Sequence, residues 1–83
     1  MGDVIVVFRV MPQEPADTKN IKQELVKLNP QRLEEEPIAF GLVALKFTII
    51  IPDTEGKLEE IEKKLNSIKN VQSVETTMIS RSL

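Results

Sequence analysis

The chain of 83 residues contains no cysteine and no histidine. Without cysteine there can be no disulfide framework, thiolate zinc site or thiol nucleophile. Without histidine the commonest general base and metal ligand is gone as well. Tryptophan and tyrosine are also absent, which leaves Phe8, Phe40 and Phe47 as the whole aromatic complement. The three glycines, at positions 2, 41 and 56, are too scattered to cradle a phosphate. Positive charge is not in excess: 11 Lys and Arg face 13 Asp and Glu, a net charge of −2. A non-specific nucleic-acid binder needs a basic face, so direct nucleic-acid binding is not expected. No apolar run approaches the roughly 18 residues that mark a membrane span. Met1-Gly2-Asp3 opens straight into a strand-like segment, not into the basic-then-apolar order of a leader. The expectation is a cytoplasmic protein.

What remains is a small globular chain, 41% hydrophobic and 29% charged. That balance fits a folded domain and not a disordered segment. A chain of this length buries only about 60–65% of its unfolded surface, so residues 1–83 are expected to share a single core. Val4 to Met11 is β-branched and apolar on both faces apart from Arg9, as in a central strand. Pro12 and Pro15 then break the pairing. Asp17 or Thr18 can cap a helix to about Leu28, with Ile21, Leu25 and Leu28 on one stripe. Asn29-Pro30 ends it, because a residue before proline is pushed out of helical geometry.

Residues 31–40 are acidic and carry Pro37, the marks of an edge strand. After Gly41, the run Leu42 to Ile51 is the most hydrophobic in the chain. Val43, Leu45, Phe47, Ile49 and Ile51 fall on one of its faces, Lys46 and Thr48 on the other. Pro52-Asp53 closes it. A second helix is predicted from about Gly56 to Ile68, with Gly56 as its N-cap and Leu58, Ile61, Leu65 and Ile68 on one stripe. Asn70 suits a left-handed position just past its end. Val71 to about Ser80 alternates weakly and reads as a last edge strand. The order β-α-β-β-α-β, with the apolar first and third strands central, predicts an α+β, ferredoxin-like sandwich. Its antiparallel sheet should run 4-1-3-2 with both helices on one face. The other face would carry Arg9, Lys46 and Thr48 and be either solvated or a partner surface.

Chemistry is sparse. Glu34, Glu35 and Glu36 could be a carboxylate set for a metal. Consecutive residues of a strand point to opposite faces, however, so a solvated edge is expected and no metal site. Asp53 and Glu55 read as a loop and helix-start feature stabilised by the helix dipole. Two enzymatic or binding relatives of the fold fit poorly. An acylphosphatase needs an arginine-bearing anion loop that Arg9-Val10-Met11-Pro12 does not build. An RNA-recognition module stacks bases on aromatics of the open sheet face, whereas Phe8 and Phe47 follow the core pattern. Two features are not explained by folding. Phe40 beside Gly41 is either a buried turn plug or an exposed docking ring, since aromatics are favoured interface anchors. Arg81, near the end of the last strand, reads on its own as a solvated charge.

The run EEEPIAFGLVALKF (Glu34–Phe47), then Pro52-Asp53, then NVQSVE (Asn70–Glu75), resembles the signature of the elongation factor 1-beta nucleotide-exchange domain, whose archaeal members consist of this one domain. The resemblance covers nearly the whole chain. It implies exchange of GDP for GTP on elongation factor 1-alpha, the GTPase that delivers aminoacyl-tRNA, with no cofactor and no covalent chemistry. It also implies that Phe40, in the place of the aromatic of a G-F-G turn, and Gly41 contact the GTPase. Arg81 takes the place of a terminal basic residue, lysine in the eukaryotic pattern, that approaches the GTPase's Mg²⁺ site. Ala39 departs from the first glycine of that turn. The arginine is a second departure, since its charge sits on a broader planar head. The free protein is expected to be a monomer; the alternative is a ferredoxin-like module that binds a small-molecule regulator and dimerises through its sheet edges.

Overall fold

The computed structural model describes residues 2–81. Four strands and two helices follow one another as β1 (Asp3–Pro12), α1 (Thr18–Val26), β2 (Arg32–Pro37), β3 (Val43–Pro52), α2 (Lys57–Asn66) and β4 (Val71–Arg81). A single 3-10 turn, Pro15–Asp17, precedes α1. The strands form one sheet in the order β2-β3-β1-β4, antiparallel throughout. This is the predicted 4-1-3-2 arrangement read from its other edge.

The two apolar strands pair centrally, with Val6 opposite Ile49, Phe8 opposite Phe47 and Val10 opposite Leu45. All six of these side chains are buried. They meet Ile21 and Leu25 of α1 and Ile61 and Leu65 of α2 in one hydrophobic cluster. The Phe8 and Phe47 rings lie 6.2 Å apart, centroid to centroid, tilted by 43°. Both therefore face the helices. The open sheet face holds Lys46, Thr48 and Ile50 from β3, and Ile5, Val7 and Arg9 from β1.

Both helices end before their apolar stripes do. Leu28 N–H donates to the Leu25 carbonyl at 3.0 Å and Asn29 N–H to that of Val26 at 3.1 Å, so α1 finishes in a tightened turn. Leu28 and Ile68 still pack against the core from beyond the helices proper. Asn29 and Asn70 take left-handed backbone (φ 56° and 70°), where a short amide side chain is tolerated. Asn70 was expected there; Asn29 was expected only to leave the helix. Gly56 is the N-cap of α2 at φ 83°, a conformation open to glycine without a Cβ penalty. Asp17 stands at the N-cap of α1 without a side-chain cap bond. Its carboxylate instead accepts the Glu14 N–H at 3.2 Å, across the 3-10 turn.

The weak alternation of β4 has a physical cause. Its register against β1 shifts between Val7 and Phe8 and again between Met11 and Pro12. Each shift inserts one residue and moves the following side chains to the other face. Thr77 is the extra residue at the first shift, and its hydroxyl donates to the Val7 carbonyl at 3.2 Å. Val74, Thr76, Ile79 and Arg81 consequently share the helix-covered face with Val10, Phe8, Val6 and Val4, their partners on β1.

Candidate functional site

The turn between β2 and β3 is closed by Leu42 N–H donating to the Ala39 carbonyl at 2.9 Å, with Ile38 N–H donating to Leu42 at 2.9 Å. Its two central residues, Phe40 (φ 55°) and Gly41 (φ 80°), both have positive φ. This is the φ pattern of a type I′ turn, which favours Asn-Gly because most side chains strain there. Gly41 meets the requirement at no cost. Phe40 does not, and the residue is 99% exposed, so no burial within the chain offsets the strain. Of the two readings open from sequence, the buried plug is excluded. Phe40 therefore presents a large apolar ring to water from a strained backbone.

Arg81 lies at the far end of the sheet. It is the last described residue, paired with Val4 of β1 on the helix-covered face. Its guanidinium forms an ion pair with the Asp53 carboxylate, while its side chain stays 75% exposed. Arg81 is thus the solvated charge expected from sequence, with one addition: it has a partner in Asp53. The reading of Asp53 holds for the loop but not for the helix start. The acids in the first turn of α2 are Glu59 and Glu60, whereas Asp53 lies before the helix and turns to β4. A contact between residues so distant in sequence, across the width of a strand, leaves no local signature. Beside the pair opens a cleft of about 230 Å³, floored by Val4, Ile51, Leu58 and Ile79.

The two sites are separate. Phe40 adjoins the start of β3 and Arg81 lies near its end, and β3 has ten residues. At about 3.3 Å per residue that is roughly 30 Å, within a molecule 42 Å long. No single small ligand touches both.

Several of the remaining charges pair with one another. Arg9, in the central β1, reaches Glu36 of β2 at 3.1 Å and Glu75 of β4 at 3.7 Å. Lys22 of α1 meets Glu35 at 3.0 Å. Glu34 and Glu36 belong to the open face and Glu35 to the helix face, as strand geometry requires. No group of three or more acids converges on a possible cation among the described residues. The open face also exposes Ile50 and Met78 beside Ile5. Among the described residues no helix is long and apolar enough to cross a membrane.

Comparison with known proteins bears on the whole chain. Residues 5–81 match the sequence model of the EF-1 guanine nucleotide exchange domain. Elongation factor 1-beta of Methanothermobacter thermautotrophicus is 39% identical over 87 aligned positions, covering 98% of each chain. The protein of that name from Methanosphaera stadtmanae is 41% identical, again over 98% of both. That from Pyrococcus horikoshii is 38% identical over 95% of this chain and 94% of its own. The matched span contains the Phe40 turn, the bulged β4 and Arg81. The chain belongs to the family of EF-1 guanine nucleotide exchange domains.

Proposed function

We propose that this protein accelerates the exchange of GDP for GTP on elongation factor 1-alpha, by binding that GTPase at two separated points. Family membership carries the exchange activity. The exposed, strained Phe40 at one end and the accessible Arg81 cation at the other support the division of labour.

The mechanism is electrostatic and conformational. Phe40, presented on the rigid turn that Gly41 permits, docks its ring in an apolar pocket of the GTPase. It supplies affinity and sets orientation. Arg81 then brings a fixed positive charge toward the Mg²⁺ site. The metal is the largest local charge in a nucleotide site and helps hold the phosphates. A competing cation there weakens metal and nucleotide together. By linkage, nucleotide weakens factor binding by the same factor, so GTP entry releases the exchange factor. Accelerating release about a thousandfold requires lowering the barrier by roughly 4 kcal/mol. Docking at the Phe40 end keeps the cation oriented at the metal site while release occurs.

Release of fluorescent GDP from the GTPase tests this. Wild-type protein should speed release with saturation. Phe40→Ala should raise the half-saturating concentration with little change in the maximal rate. Arg81→Ala should chiefly lower the maximal rate. No acceleration at saturating protein would refute the function, and two fully active variants would refute the residue roles.

A further inference from the structure

We propose that Asp53 is a positioning residue for exchange: it holds the Arg81 cation in place at the end of β4 before the GTPase is met. The inference rests on the role given to Arg81 above.

The two partners of this ion pair are anchored very unequally. Asp53 follows directly on β3, which lies inside the sheet between β1 and β2. Its backbone N–H donates to the Gly2 carbonyl at 3.0 Å, extending the β1–β3 ladder by one more bond. The next residue is tied as well, with Thr54 N–H donating to the Pro52 carbonyl at 2.9 Å. The Asp53 carboxylate therefore projects from fixed backbone. Arg81 lies on an edge strand, which among the described residues pairs with β1 alone. A strand held on one side opens more readily than one inside the sheet. An arginine there also has several rotatable bonds to order before it can act.

The ion pair compensates for both weaknesses. It reaches from β4 past the start of β1 to the residue after β3, across two strand spacings or about 10 Å. Beneath it lie Val4 and Ile79, which line the same cleft as Asp53 and Arg81. The stem of Arg81 thus has an apolar bed, its head a carboxylate, and its strand end a clamp. Asp53 is 40% exposed and Arg81 75%, so the pair is well solvated. A solvated pair restricts a side chain without trapping it. A partner that offers a stronger anionic site can still take the cation over.

The test is Asp53→Asn in the fluorescent-GDP release assay, alone and combined with Arg81→Ala. Loss of an exposed pair is worth about two- to fivefold. Asp53→Asn should lower the maximal release rate by that amount and leave the half-saturating concentration, set at the Phe40 end, unchanged. Asp53→Glu keeps the charge and should recover most of the rate. In the Arg81→Ala background Asp53→Asn should have no further effect; a merely structural role would persist there and would move the half-saturating concentration too. The inference fails if Asp53→Asn exchanges at the wild-type rate, if it exchanges faster, or if its effect survives without Arg81. An unchanged maximal rate in Arg81→Ala alone would instead refute the role of Arg81, and this proposal with it.

Discussion

In the proposed docking role, Phe40 sets function against stability within one residue. A non-glycine residue at positive φ costs on the order of 1–2 kcal/mol, and the residue at 99% exposure recovers nothing from burial. Asparagine tolerates this conformation, and Asn-Gly is the preferred pair for such a turn. We expect Phe40→Asn to stabilise the free protein by about 0.5–1 kcal/mol, raising its melting temperature by roughly 2–8 °C. The same substitution should raise the concentration needed for half-maximal exchange at least about tenfold, the loss typical of an interface anchor. Thermal melting and the release assay together decide it, and a variant that is less stable would show that the turn is not strained. Sequence legibility at this scale depended on whether the physics was local. Gly56 and Asn70 could be placed because helix ends impose their own backbone requirements. The Asp53–Arg81 pair could not, because it depends on how three strands align.

At the scale of elements, side chains divide sharply by face. Leu65 of α2 is fully buried against the sheet, whereas Val26, at the last position of α1, is 55% exposed. Leu65→Ala removes buried methyl groups and leaves a cavity, at a cost of about 2–5 kcal/mol. For a chain of this size that is a large share of a total stability on the order of 5–10 kcal/mol. The melting temperature should fall by at least about 10 °C. Val26→Ala should change stability by less than about 0.5 kcal/mol. Comparable losses from both substitutions would overturn the assignment of the core. The periods of α1, α2 and β3 made these faces readable in advance, since one uninterrupted repeat runs through each element. Strand β4 resisted because its two register shifts change the face in mid-strand. A bulge is a relation between two strands, and the sequence of either one alone does not contain it.

On the scale of the whole molecule, the sheet acts as a spacer. Strand order was legible because two strands are apolar and two are polar, which places the first pair at the centre of the sheet. The spacing of the two proposed contact points follows from that order. Antiparallel pairing sends the β2–β3 turn to one end, and the close of β3 together with the end of β4 to the other. Sites about 30 Å apart that share no contact should act on exchange independently. Residues that work as a single unit instead show strongly non-additive losses. The double variant Phe40→Ala with Arg81→Ala should therefore combine a raised half-saturating concentration with a lowered maximal rate. Its loss in the ratio of the two should equal the sum of the single losses to within about 0.5 kcal/mol. Asp53→Asn with Arg81→Ala is the internal contrast. Those two residues touch, so their losses should fall well short of additive. If the Phe40 and Arg81 variants were instead strongly coupled, the two ends would be reporting on one shared step, and the spacer would have to transmit strain as well as distance.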